Sequence, residues 1–66
     1  MYYFKVIPFG LMDRPLLYKY SEKIRSGTIV DISIRNKKSI GVVLSEVIAS
    51  EITFDKKKIL TITELN

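Results

Sequence analysis

The chain has 66 residues, of which 47% are hydrophobic, and it contains no cysteine and no histidine. These absences exclude disulfides, thiolate or imidazole metal sites, and the nucleophile–histidine pairs of many hydrolases. The formal net charge is +4, and the first 40 positions hold eight basic residues against three acidic ones. Such a basic surface suits an anionic partner, nucleic acid first and a membrane surface second, although extra lysines also serve solubility alone.

A chain this short forms one domain at most, because it buries only roughly 60% of its unfolded surface. Since no disulfide compensates for that small core, we expect residues 1–66 to be a single domain of a larger protein. No stretch approaches the roughly 18 consecutive apolar residues of a membrane span. The first residues also lack the pattern of a signal peptide, so we expect a cytoplasmic protein with no membrane partner.

Runs rich in β-branched and aromatic residues, several of them alternating with polar ones, predict five short strands. The predicted strands are residues 2–8, 16–20, 28–35, 39–47 and 59–65. Pro8 and Gly10 stop the first strand. Residues 21–26 are interpreted as a turn or one helical turn, and residues 49–58 as a loop.

The most distinctive stretch is residues 27–44, where apolar and polar side chains alternate from Val30 to Arg35. A short polar run at 35–39 follows, and its Asn36 is a residue type that tolerates left-handed backbone. A second β-rich segment begins at Ile40, so the stretch predicts a β-hairpin with a cationic tip. Five short strands at this spacing predict an all-β barrel or sandwich, OB-like or SH3-like in general shape.

The motifs of catalysis are missing from the sequence. Its three glycines are scattered at positions 10, 27 and 41, so no phosphate-cradling loop is present, and its seven acidic residues are dispersed along the chain. We therefore expect a binding module that is not an enzyme by itself and uses no cofactor or metal.

Several segments follow one another in a characteristic order. They are Val6-Ile7-Pro8, Leu16-Leu17-Tyr18, the glycine-led strand from Gly27 to Arg35, Ile40-Gly41-Val42-Val43, and Lys57 or Lys58 before the last β-segment. In this order and spacing the chain resembles the N-terminal, 3′-DNA-end-binding domain of the primosomal replication-restart helicases (PriA, primosomal protein N′). The resemblance covers nearly the whole chain and is most specific between residues 27 and 44.

The resemblance implies a module that holds the 3′ end of a nascent strand at a stalled replication fork. It implies two kinds of partner, DNA with a single-stranded 3′ end or a fork, and downstream ATP-dependent helicase domains of the same protein. In that family the terminal base lies against an aromatic residue, polar groups meet the sugar, and a lysine near the last strand adds charge. This chain differs in two places, with Leu16 and Leu17 replacing an aromatic–acid pair and Ser33-Ile34-Arg35 replacing Pro-Phe-Gly.

The hypothesis for mechanism is a shallow pocket between the second strand, the Arg35 turn and the Lys57 region. The candidate nucleic-acid-binding residues are Leu16, Leu17, Tyr18, Arg35, Asn36, Lys37, Lys38, Lys57 and Lys58. A domain that binds DNA ends in this way holds the phosphates through cationic side chains and stacks the bases on aromatic rings. Asp13 is a further candidate, as a replacement for the missing acid.

Alternatives remain open for these residues and for the domain. Tyr18 either offers a stacking face or packs in the core with its hydroxyl bonded, and the hairpin-tip charges either follow phosphates or are simply solvated. A second function class is a protein-interaction module, with a docking face drawn from the N-terminal aromatics Tyr2, Tyr3, Phe4 and Phe9. A third is an SH3-like module that binds RNA.

Overall fold

The computed structural model describes residues 1–10 and 14–66. Its strands are β1 (Tyr2–Pro8), β2 (Leu16–Tyr20), β3 (Ile29–Ile34), β4 (Lys37–Val47), β5 (Leu60–Thr61) and β6 (Glu64–Leu65). Two single 3₁₀ turns, Ala49–Glu51 and Lys56–Lys58, lie in the connection between β4 and β5. The all-β class predicted from the sequence is confirmed.

The six strands form one curled sheet in the order β5-β2-β1-β4-β3-β6. All neighbouring strands run antiparallel except β2 and β5, which are parallel. The two edge strands are consecutive in the chain and are separated only by Ile62 and Thr63. The N–H of Ile62 donates to the carbonyl of Lys19 on β2 at 2.9 Å, and that of Thr63 to Asp31 on β3 at 2.8 Å. One segment therefore bridges both edges of the half-barrel.

This bridging corrects the prediction of a single regular strand at residues 59–65. Ile59 and Ile62 are both buried although they lie three residues apart, whereas Leu60 between them is 53% exposed. The strict alternation fails because the segment pairs first with β2 and then turns to pair with β3. The predicted loop at 49–58 likewise contains two 3₁₀ turns.

The core lies on the inner face of the curled sheet, as the alternation along β1 predicts. Phe4 and Val6 are fully buried, and the register places Phe4 opposite Tyr18 and Val6 opposite Val43. Val30 and Ile32 of β3 and Ile62 of the bridging segment complete this layer. Each large apolar side chain buried here contributes roughly 1.5–3 kcal/mol relative to exposure.

A two-residue turn joins β3 to β4, which confirms the predicted hairpin with a cationic tip. Arg35 (φ 50°) and Asn36 (φ 67°) both adopt left-handed backbone, the conformation of a type I′ hairpin turn. Asparagine tolerates left-handed backbone, whereas for arginine this conformation is unfavourable by roughly 1–2 kcal/mol. The turn is shorter than the predicted polar run, so Lys37 and Lys38 belong to β4.

Candidate nucleic-acid interface

Strand direction brings three separate basic segments to one end of the half-barrel. Because β1 is antiparallel to β2 and β4, and β4 is antiparallel to β3, the ends of β1 and β3 lie toward the same end of the half-barrel as the starts of β2 and β4. The β3–β4 hairpin extends beyond β1, since Pro8 pairs with Gly41 and Ile34 with Lys37. Because β5 is parallel to β2, with Leu60 beside Tyr18, the Lys56–Lys58 turn that precedes β5 lies toward the same end as the start of β2. We call this the cationic end, and its basic residues are Arg14, Arg35, Lys37, Lys38, Lys56, Lys57 and Lys58.

The cationic end holds seven of the eleven Lys and Arg residues of the chain, and all seven are exposed. In the described parts of its three segments, Asp55 is the one acidic residue. The Asp55 carboxylate accepts the backbone N–H of Lys57 at 2.9 Å and so caps the 3₁₀ turn that carries the three lysines. Clustered charges of one sign raise the local concentration of an anionic ligand and speed its association.

Acidic residues line a groove of about 410 Å³ beside β3 and reduce the positive charge on that side of the cationic end. Its lining includes Lys38 together with the carboxylates of Asp31 and Glu64. Asp31 and Glu64 are cross-strand partners, and the Asn66 side-chain amide donates to Asp31 at 2.7 Å. Lys38 therefore shares its surroundings with two acids, whereas the candidates Lys57 and Lys58 do not line this groove.

The predicted residues of β2 divide between the two faces of the sheet. Leu16 points inward and packs against the core, whereas Leu17 is half-buried on the outer face, opposite Lys5. Tyr18 is only 2% exposed, and its hydroxyl donates to the carbonyl of Ser33 across the half-barrel at 2.8 Å. Tyr18 is thus a core residue, and the interpretation that it offers a stacking face is wrong.

The remaining candidates are placed as follows. Arg35 and Asn36 form the exposed turn, Lys37 and Lys38 open β4, and Lys57 and Lys58 lie in the 3₁₀ turn before β5. All six lie at the cationic end, where β2 also begins. Asp13 lies outside the described residues.

The N-terminal aromatics do not form one docking face. Phe4 is fully buried and Tyr3 is half-buried, while Tyr2 is 37% and Phe9 50% exposed. Tyr2 begins β1 and Phe9 follows its end, so the two exposed rings are separated by the length of a strand, roughly 20 Å. The predicted face is therefore divided between the two ends of the molecule.

Two exposed aromatic side chains accompany the cationic end. Phe9 follows β1 there, and its N–H donates to the carbonyl of Ile40 at 2.8 Å. Phe54, which is 56% exposed, directly precedes Asp55 and the lysine turn. Phe54 is not predicted as a surface residue of interest from the sequence, because it lies in no alternating pattern; its position beside three lysines is the one signal it offers.

Phe54 lines a groove of about 240 Å³ between the start of β2 and residues 51–54, which we call the outer groove. Apolar side chains dominate it, and Lys5 and Glu51 are its charged members. The other apolar lining residues are Pro15, Leu16, Leu17, Val47 and Ile52.

Tyr18→Phe tests the core role of this tyrosine. We expect the free energy of unfolding to fall by about 1 kcal/mol at neutral pH, because the Ser33 carbonyl loses the Tyr18 hydroxyl that donates to it. Burial raises the pKa of Tyr18 above its ordinary value, so the native state keeps a proton that the unfolded chain releases near pH 10. This stabilisation is present below about pH 10 and declines as the pH rises through the raised pKa.

Urea unfolding of both proteins across this pH range measures the difference. Wild type should lose stability above about pH 10 more steeply than Tyr18→Phe does. Equal stability of the two proteins at neutral pH would show that the Ser33 hydrogen bond contributes nothing.

Comparisons of the chain with protein-family models, with curated proteins and with solved structures find no match. In residues 1–10 and 14–66, no helix is long and apolar enough to cross a membrane. The same residues contain no group of three or more acidic side chains arranged to hold a metal ion.

Proposed function

We propose that this domain binds the 3′ end of single-stranded DNA through its cationic end, as a cytoplasmic module of a replication-restart helicase. The observation that carries the proposal is that strand direction places three basic segments, distant in sequence, toward the same end of the half-barrel. A lysine surface kept only for solubility has no need of this arrangement.

The exposed cations would act on the DNA backbone. Each Lys or Arg that contacts a phosphate releases condensed counterions, with a salt dependence of about 0.7 per phosphate on single strands. Arg35 is held by a two-residue turn and the lysines by a capped 3₁₀ turn, so these backbones lose little freedom on binding. Recognition by phosphate contacts is independent of sequence, as an end-binding module requires.

The preference for a 3′ end and the place within a helicase rest on the resemblance of residues 4–47, together with Lys57 or Lys58, to the PriA end-binding domain. Lys57 and Lys58 occupy the position of that family's lysine before the last β-segment, and both are exposed. Leu17 stands where the family has an acid, so a sugar hydroxyl would have to find another acceptor here. We assign the domain recognition without turnover; ATP hydrolysis would belong to downstream domains.

Fluorescence anisotropy with two short single strands tests the proposal. One strand ends in a 3′ hydroxyl and the other in a 3′ phosphate, and each is titrated at low and raised salt. We expect tighter binding of the hydroxyl strand, with both affinities falling as salt rises. Equal binding would contradict end recognition, and no binding would contradict the nucleic-acid function itself. A single-stranded RNA of the same sequence distinguishes the RNA-binding alternative, which predicts that RNA binds more tightly.

A further inference from the structure

We propose that the end of the β3–β4 hairpin binds double-stranded DNA by entering its major groove. We call residues 32–39 the ribbon. The inference goes beyond the proposed function, which concerns a single-stranded 3′ end, and assigns a second surface to the duplex that adjoins such an end. It depends on the length of the hairpin, on its charge and on its backbone conformation.

The hairpin is longer than the strands beside it. β1 pairs with β4 as far as Gly41, and β6 pairs with β3 as far as Asp31. In residues 1–10 and 14–66, no other strand pairs with the last three residue pairs of the hairpin. Three pairs at about 3.4 Å per residue extend roughly 10 Å, so the ribbon is a two-stranded projection that ends in a two-residue turn.

The dimensions of the ribbon select the major groove. The two strands of a ribbon lie about 4.8 Å apart before side chains are added. The major groove of B-DNA is about 12 Å wide and 8.5 Å deep and admits a two-stranded β-ribbon, whereas the minor groove is only about 6 Å wide. A ribbon roughly 10 Å long spans the depth of the major groove.

Charge is arranged along the ribbon as such binding requires. Arg35, Lys37 and Lys38 are exposed at its end, and residues 32–39 include no acidic residue. Asp31 and Glu64, which are cross-strand partners, lie directly behind the ribbon. The lysines attract the phosphates along the walls of the groove and the two carboxylates repel them, so the acidic pair limits the depth of insertion.

Arg35 occupies an unfavourable backbone position at the end of the ribbon. Its φ of 50° is left-handed, at a turn position where glycine, asparagine and aspartate are preferred. Residues held in such conformations are concentrated at functional sites. A guanidinium at the end of the ribbon is the first group to reach the floor of the groove, where it can donate two hydrogen bonds to O6 and N7 of guanine.

The ribbon is fixed to the body of the domain. Ile32 is 1% exposed, and the Ser33 carbonyl accepts the Tyr18 hydroxyl at 2.8 Å. Ile34 packs against the same core. Because these contacts hold the ribbon in place before DNA binds, its insertion loses little conformational entropy.

Arg35→Asn combined with Lys37→Gln tests the ribbon while keeping the turn, since asparagine is preferred at the first turn position. Two probes share one strand with a 3′ hydroxyl; in the second probe, a complementary strand is paired with its 5′ portion. We expect wild type to bind the part-duplex probe about tenfold more tightly than the single strand, and the ribbon variant to lose most of that advantage. Lys23→Gln with Arg25→Gln removes the same number of charges elsewhere and should retain it.

The duplex advantage separates this inference from the proposed function, which the preference for a 3′ hydroxyl tests. If wild type shows no duplex advantage, or the ribbon variant keeps it in full, the ribbon assignment is wrong and the preference for a 3′ hydroxyl is unaffected. If wild type binds neither probe, both proposals are wrong. Circular dichroism checks that each variant is folded.

Dimethyl sulfate identifies the groove, because it methylates guanine N7 in the major groove of a duplex and adenine N3 in the minor groove. We expect bound wild type to protect guanine N7 in the duplex beside the junction and to leave adenine N3 reactive. Protection of adenine N3 alone would place the ribbon in the minor groove and overturn the proposal, as would unchanged reactivity of both atoms.

Discussion

Replacing Lys57 and Lys58 together by glutamine is expected to weaken binding of single-stranded DNA at least tenfold at low salt. Both side chains are exposed at the cationic end, on a 3₁₀ turn that Asp55 caps through a backbone N–H, which glutamine retains. Each lost phosphate contact removes about 0.7 from the slope of log affinity against log salt, so the slope should fall by about 1.4. Anisotropy titrations at several salt concentrations measure both quantities.

A variant matched in charge tests whether position matters. Lys23→Gln with Arg25→Gln removes the same two charges from the β2–β3 connection, at the opposite end of the half-barrel. We expect this control to change affinity and salt slope far less than the Lys57–Lys58 variant does. Equal losses in the two variants would mean that net charge, and no particular surface, drives the association.

Gly41→Ala is expected to lower the free energy of unfolding by about 1–3 kcal/mol, a large fraction for so small a domain. A β-carbon at this position would lie 2.7 Å from a methyl of Val6 and 2.9 Å from the carbonyl oxygen of Ile7. The second contact is with backbone of the neighbouring strand β1, which cannot rotate away as a side chain can. The inner face of the sheet would therefore have to separate locally at the β1–β4 contact.

Thermal unfolding checks this effect, with Gly10→Ala as its control. At this size each kcal/mol lowers the Tm by roughly 4–8 °C, so Gly41→Ala should melt up to about 20 °C lower. A β-carbon at Gly10 meets nothing within 4 Å, and its φ of +82° leaves only backbone strain as a cost, roughly 1–2 kcal/mol. A Tm for Gly41→Ala equal to that of wild type would show that β1 and β4 are not in such close contact.

Local pattern was sufficient to predict the centre of this fold. The alternation from Val30 to Arg35 and the turn residue Asn36 identify the β3–β4 hairpin, whose strands begin and end within two residues of their predicted positions. The first two strands have the bounds expected from their composition. These elements depend on contacts between near neighbours, which a sequence pattern records directly.

Features that depend on distant pairing were not predictable in the same way. The alternation of Leu16, Tyr18 and Tyr20 shows that they share a side, but only the register with β1 shows that this side is the core. No local signal indicates that residues 60–65 pair with two different strands. The placement of Lys57 toward the same end as the Arg35 turn depends on the parallel β2–β5 pair, whereas the resemblance groups these residues without it.

The bridging segment also determines the order in which the molecule can assemble. A hairpin with a two-residue turn forms within about 1–10 μs, so β3 and β4 can pair early. Closure must instead join Leu60 to Tyr18 and Glu64 to Asp31, and such distant pairings slow the folding of small β proteins to milliseconds or seconds. Lys57 and Lys58 immediately precede that segment, so we expect the cationic end to be complete only after this closure.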